Sequence, residues 1–204
     1  MLNTFVPFWA EPKTVEQAAR EIIYGFSVEQ YKAHIPQFLK LHPPFEQPIR
    51  VLDFGCGLGR FPYHAGYAHP NWTIIGYDNK SMLDNAKRLW KLPSNAILTD
   101  SWDFVLSQRF DLINAEIVLM HIREPDVRTY LEQFKTLLQA DDGSRRKPGD
   151  DNFLGFFHAT RETLDDQKTN LWEICFDCGL EVHHLYYGSF KTNSVTANAA
   201  AMLF

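Results

Sequence analysis

The chain has 204 residues, with 20 basic and 25 acidic side chains and a formal net charge of −5. That is the length of one α/β domain with a small appendage, and the acidic balance argues against a protein that lives on nucleic-acid phosphates or an anionic membrane. With 45% hydrophobic and 22% charged residues, disorder, collagen and coiled coil are all disfavoured. Three cysteines, Cys56, Cys175 and Cys178, are too few for a disulfide framework and suit a reducing compartment. The N-terminus lacks the apolar run of a signal peptide, and no stretch approaches the ~20 apolar residues of a membrane span. The expectation is a soluble, cytoplasmic protein without a membrane partner.

In chain order, residues 14–26 and 27–41 carry the apolar spacing of two helices. Val15, Ala18, Ala19, Ile22 and Ile23 form one stripe, and Val28, Tyr31, Ile35, Phe38 and Leu39 the other. Ser27 followed by Gln30 has the spacing of a capping box. The proline-bearing HPPFEQP, residues 42–48, divides this segment from the rest, so a helical cap over 1–48 and a single compact unit over 49–204 are expected. After the divider, short apolar runs at 49–54, 72–77, 96–98, 111–118 and 153–158 alternate with helix-like stretches at 61–68, 81–91, 125–138 and 164–178. Such alternation predicts a doubly wound α/β fold, a mostly parallel sheet with helices on both faces. Residues 180–187 and 196–204 read as two strands joined without a helix, hence an antiparallel pair at an edge. The polar stretch 140–151 reads as a loop.

The most informative residues are Asp53-Phe54-Gly55-Cys56-Gly57-Leu58-Gly59-Arg60, after an apolar strand and at the opening of a helix. Three glycines in five positions permit a tight turn and let a ligand lie against bare backbone. A dinucleotide fingerprint needs its third glycine where this chain has Arg60, and a phosphate P-loop needs a Gly-Lys-Ser/Thr ending. The loop is therefore shaped for close approach rather than for cradling a pyrophosphate. Asp78 ends the second strand some 20 residues later, where a carboxylate can accept both hydroxyls of a ribose. Asp100 ends the third, where it can accept from an exocyclic amine.

VLDFGCGLGR resembles the first motif of the class I S-adenosylmethionine-dependent methyltransferases. IIGYDNKSMLDNAK, ILTDSWDF and FDLINAEIVLMHI resemble that family's second-strand acidic motif, its adenine-contacting motif and its fourth-strand motif, in order. The resemblance covers residues 49–204. It implies a Rossmann-like, seven-stranded sheet with one antiparallel strand near the edge, and S-adenosyl-L-methionine as cofactor, with S-adenosyl-L-homocysteine as product. It further implies that Gly55, Gly57 and Gly59, with Cys56 between them, pass under the methionine moiety, with Asp53 near its amino end. Asp78, followed by Asn79, would hold the ribose, and Met82 would pack on the adenine. Asp100 would face the adenine amine, with Ser101 and Trp102 beside it, and Asn114 and Ala115 would lie beside the methionine and sulfonium.

Methyl transfer demands alignment more than acid–base chemistry, so no universal catalytic residue is legible. Where the acceptor must lose a proton, the candidate bases near the ends of strands four and five are Glu116, His121 and His158. Each also has a bland reading, as a turn-orienting carboxylate or a satisfied core histidine. Cys175 and Cys178 sit late in a helix, and His183 and His184 alternate faces of a strand, so no metal site is expected. Phe5, Phe8, Trp9, Tyr24, Phe26 and Tyr31 either wall an acceptor pocket or bury against the sheet's helices. The expected partner is a small-molecule acceptor, with the chain a monomer or homodimer. A peptide acceptor, or a non-catalytic role in binding, remains the alternative.

Overall fold

The structure, a computed structural model, describes residues 11–22, 25–41, 47–116 and 118–138, and the backbone of strands at 156–161, 181–184, 190–192 and 195–203. The first element, α1 (Val15–Ile22), begins at a Thr14–Gln17 capping exchange and is followed by Gly25 with φ of 85°. Its successor was expected as one helix over 27–41. Instead there are two, α2 (Val28–Ala33) and α3 (Gln37–Leu41). Pro36 lacks an N–H and forces Ile35 out of the helical region, so the helix stops and Ile35 is left 46% exposed instead of on the apolar stripe. Ser27 and Gln30 do form the capping box, with Oγ accepting from the Gln30 N–H at 3.2 Å and Oε1 from the Ser27 N–H at 2.8 Å.

The alternating part follows as β1 (Arg50–Phe54), α4 (Arg60–Ala68), β2 (Thr73–Tyr77), α5 (Lys80–Leu89), β3 (Ala96–Thr99), α6 (Trp102–Leu106), β4 (Leu112–Ala115), a 3₁₀ turn (Leu119–His121) and α7 (Glu124–Leu137). The strands β5 (Phe156–Arg161), β6 (Glu181–His184), β7 (Phe190–Thr192) and β8 (Val195–Leu203) complete the chain. Helix α6 has no counterpart in the sequence expectations. It is short, and its one signal is Ser101, whose Oγ caps the Phe104 N–H at 3.2 Å.

The sheet order is β3-β2-β1-β4-β5-β8-β6, with β7 paired to β8. Pairings β3–β2, β2–β1, β1–β4 and β4–β5 are parallel, and β8 runs antiparallel to β5 and β6. This is a Rossmann-like α/β fold with a parallel sheet. Strand β1 winds to β2 on one side and neighbours β4 on the other, so a crevice opens between the ends of β1 and β4, where ligands of such sheets bind.

Strand alternation sorts the sheet's two faces. Leu52, Phe54, Ile75, Ile113 and Ala115 face α6 and α7 with Tyr130, Leu131 and Phe134. Val51, Ile74 and Leu112 face the other way, onto Phe61 and Ala65 of α4 and Phe38 of α3. A third cluster joins Ala18, Ala19 and Tyr31 of the N-terminal helices to Leu58, Met82 and Trp90. The N-terminal helices thus pack on the glycine loop and α5. Phe5, Phe8, Trp9 and Tyr24, the loop at 140–151, and the helix expected at 164–178 with Cys175 and Cys178 lie outside the described residues.

Candidate functional site

The glycine loop turns left-handed three times, with φ of 71° at Gly55, 55° at Gly57 and 75° at Gly59. A side chain at Gly55 would also place its Cβ 2.2 Å from Val118 Cγ2, so this position is closed both by conformation and by space. At Gly59 nothing lies nearer than 3.4 Å, so the φ value alone demands glycine there, at the N-cap of α4. The loop hangs from the end of β2: the N–H groups of Gly55 and Cys56 donate to the Tyr77 carbonyl at 2.9 and 3.0 Å.

Asp78 continues this suspension. Its Oδ2 accepts the Gly57 N–H at 2.7 Å, and its Oδ1 accepts the Asn79 N–H at 2.7 Å and Asn79 Nδ2 at 3.0 Å. It is buried, and burial pushes its carboxyl up to about 6, with the two backbone N–H groups working against the rise. Asn79 caps α5 by accepting the Met82 N–H at 3.1 Å, which seats the buried Met82 beside the loop.

Asp53 on β1, the register partner of Asn114 on β4, accepts Asn114 Nδ2 at 2.7 Å. Burial raises this carboxyl to about 8, against the effect of the Asn114 bond. Gly76 is its register partner on the other side. A Cβ at Gly76 would approach Cys56 Sγ to 3.1 Å, so the missing side chain there seats the cysteine. Cys56 is itself buried, and burial pushes its thiol up.

Arg60 opens α4, and its side chain is only 8% exposed. Nη2 pairs with Glu116 Oε1 at 2.9 Å, Nη1 hydrogen-bonds His34 Nδ1, and the guanidinium lies 5.6 Å from the Tyr31 ring centroid. Arginine only donates, so His34 must present an unprotonated Nδ1. Burial and the nearby guanidinium lower this histidine to about 4.

Most of these groups line one cleft at the ends of β1, β2 and β4. Of the expected site residues it brings together Asp53, Gly55, Cys56, Gly57, Asp78, Asn79, Met82, Asn114, Glu116 and His121. His121 closes the 3₁₀ turn, and burial lowers it to about 4, so it is a neutral imidazole near neutral pH. Glu116 serves as the partner of Arg60. Gly59, Asp100, Ser101, Trp102 and Ala115 do not line the cleft. Asp100 is exposed, Ser101 caps α6, and Ala115 is buried on the far face of the sheet. Trp102 is packed among Phe54, Tyr77 and Tyr130 and donates Nε1–H to Gln133 Oε1 at 3.1 Å. His158 occupies the β5 register position beside Asn114, and no more of it is described.

Sequence reasoning missed Arg60, His34, Ile22, Phe61 and Val118 as members of this site. Arg60 had a readable signal: a cation in the first turn of a helix that follows a buried strand. The others are brought in by tertiary packing, as where Ile22 Cδ1 would lie 3.1 Å from a Cβ at Gly57.

A sequence profile described as a methyltransferase domain matches residues 27–144. No curated protein matches the chain. Among solved structures, magnesium protoporphyrin IX methyltransferase from Synechocystis, with bound S-adenosylmethionine, superposes with a TM-score of 0.55 at 14% identity, over 76% of this chain and 70% of that one. A TehB-like S-adenosylmethionine-dependent methyltransferase from Corynebacterium glutamicum gives 0.54 at 20% identity, over 82% and 85%. A methyltransferase of calicheamicin biosynthesis, bound to S-adenosylhomocysteine, gives 0.58 at 13% identity, over 91% and 53%.

Proposed function

Because the chain belongs to the methyltransferase-domain family, we propose that it uses S-adenosyl-L-methionine to methylate an oxygen, nitrogen or carbon of a small-molecule acceptor. The observation that carries the reading is Asp78: a buried carboxylate at the end of β2 that already gathers the backbone of the glycine loop and lines the cleft. Relatives of similar fold support it. Two are bound to the cofactor or its demethylated product, and one is a magnesium protoporphyrin IX methyltransferase.

In this reading Asp78 accepts the ribose hydroxyls, Met82 packs on the adenine, and Gly55 and Gly57 admit the methionine moiety against bare backbone. Asp53 and Asn114 receive its amino end. Asp100 and Ser101 flank the adenine end from beyond β3, while Trp102 acts by packing beneath them. When bound, the cofactor supplies a methyl group on a sulfonium, and S-adenosylhomocysteine remains. The chain's task is to align the acceptor and exclude water, which the apolar Ile22, Phe61 and Val118 serve. Where the acceptor must lose a proton, neutral His121 is the base on the cleft wall, and His158 is the second candidate. Glu116, engaged by Arg60, orients rather than abstracts. In this reading residues 1–48 serve as the cap and residues 49–204 as the methyltransferase unit. The sheet corresponds to the family's seven strands, with β8 as the antiparallel one near the edge and β7 an addition.

Calorimetric titration with S-adenosylmethionine, S-adenosylhomocysteine and NAD tests the reading. Selective binding of the first two is expected, and methyl transfer from labelled cofactor then identifies acceptors. Binding of NAD instead, or of none of the three by folded protein, would overturn it.

A further inference from the structure

Away from the cleft, β3 ends the sheet: among the described strands it pairs with β2 alone. The Ile74 N–H donates to the Asn95 carbonyl at 2.9 Å and the Asp78 N–H to the Thr99 carbonyl at 3.4 Å, so residues 95, 97 and 99 turn their backbone groups towards β2. Alternation then turns those of Ala96 and Leu98 outward. The Ala96 N–H is taken by the Pro93 carbonyl at 3.1 Å, which leaves the Leu98 N–H and the carbonyls of Ala96 and Leu98 on the outer edge. Proteins usually guard such an edge with lysine, proline or a bulge. Ala96-Ile97-Leu98-Thr99 has none of these, and its register with β2 is unbroken.

The side chains around this edge are apolar. Ile97 is 47% exposed and shares the α6 and α7 face of the sheet with its register partner Ile75. Helix α6 follows β3 after two residues and, while burying Val105, leaves Phe104 and Leu106 exposed. Three of the five large hydrophobic residues exposed among the described ones therefore fall between positions 97 and 106, which marks a contact surface rather than scattered exposure. Charge indicates what covers it. Lys87, Arg88 and Lys91 are exposed ahead of the strand, and Asp100 and Asp103 are exposed beyond it. The cation whose charge reaches Asp100, Lys80, is held by Asp84 at 2.7 Å. The edge is thus basic at its start and acidic at its end. A second copy running antiparallel sets each end against its opposite, whereas a parallel neighbour would set like against like. We propose that the chain forms a two-fold homodimer in which β3 pairs antiparallel with β3 of a second copy, centred on Leu98, so that two sheets become one. Leu98 exchanges both N–H···O bonds with its counterpart, and Ile97 of each copy lies opposite Thr99 of the other. This surface is independent of the methyl-transfer reading.

Sedimentation of the full chain between about 1 and 100 µM tests the proposal on wild type, Ile97→Lys and Phe104→Glu, with folding followed by circular dichroism. Wild type should be dimeric at the upper end of that range. Ile97→Lys, which supplies the missing guard, should weaken the dimer by about tenfold or more, and Phe104→Glu by less. Amide hydrogen exchange at Leu98, read by NMR, separates strand pairing from a contact through side chains alone: the amide should be protected in the dimer and exchange rapidly on dilution and in Ile97→Lys. Should Ile97→Lys fail to fold, Phe104→Glu decides. A wild type that stays monomeric throughout, a dimer that both variants leave intact, or a dimer whose Leu98 amide exchanges as fast as the monomer's would each overturn the proposal. Species larger than two chains, lost on dilution, would show an edge that pairs without closing and would overturn the two-fold arrangement.

Discussion

Neighbouring residues on one strand serve opposite ends here. Phe54 points into an aromatic cluster with Tyr77, Trp102, Tyr130 and Phe134, its ring centroids 4.8 to 5.7 Å from theirs. Asp53, one residue earlier and on the other face, sits among Asn114, Arg60 and Glu116. Just past the end of β2, Tyr77 of the strand and Asp78 beyond it are divided in the same way. The aromatic face obeys ordinary core economy, in which every buried group is apolar or finds a partner. Its polar counterpart buries three carboxyls and a guanidinium near one another, which folding alone does not reward. The contrast teaches that both faces carry an apolar core, and that only at the strand ends of one of them are polar groups gathered for a ligand to complete.

The contrast can be broken by mutation. Phe54→Ala should cost about 3–5 kcal/mol of stability, measured by urea unfolding, with cofactor affinity per folded molecule little changed. A comparable loss of affinity would show that the two faces are not separable. Asp78→Ala should do the reverse. Cofactor affinity should fall by about 100-fold or more, while stability drops by only about 1–3 kcal/mol for the hydrogen bonds to Gly57 and Asn79. Retained affinity would remove Asp78 from the ribose site. Wild-type affinity should also weaken as pH falls through about 6, where the folded Asp78 carboxylate takes up its proton.

Asp53 sharpens the comparison through pH. Its carboxyl is raised from 3.8 to about 8 by burial, so across that window the folded chain keeps a proton that the unfolded chain has released. Stability contributed by this group is therefore present below about 4 and is lost as pH rises towards 8. Asp53→Asn, neutral throughout and still able to accept from Asn114, should flatten that part of the melting-temperature profile. Parallel profiles for the two proteins would show that Asp53 is ionised in the native state. The smallest effect is expected at Trp102→Phe, which deletes the bond to Gln133 and should cost about 1–2 kcal/mol with cofactor affinity unchanged. A marked affinity loss there would bring the indole back into the adenine site.

Much of this was legible beforehand because it is local. The strands β1 to β4 are apolar runs closed by turn residues, and Gly55-Cys56-Gly57-Leu58-Gly59 announces left-handed turns that only glycine adopts freely. The interruption at Pro36 was equally local and was overlooked, since apolar spacing masked the breaker. Helix α6 escaped because five residues carry too little periodicity to register.

What the chain determines by itself is the order of its elements, the turn that the three glycines make, and the placing of acidic residues at strand ends, since each depends on a few consecutive side chains. Which of those residues meet was decided only by tertiary structure. Trp102 was drawn into the aromatic core because α6 lays it against Phe54, and Glu116 was paired with Arg60, 56 positions away. Tyr31 and His34 reached the site because α1 and α2 pack on Leu58, Met82 and Trp90. Contacts across such separations depend on how helices seat on a sheet, and no local spacing encodes that.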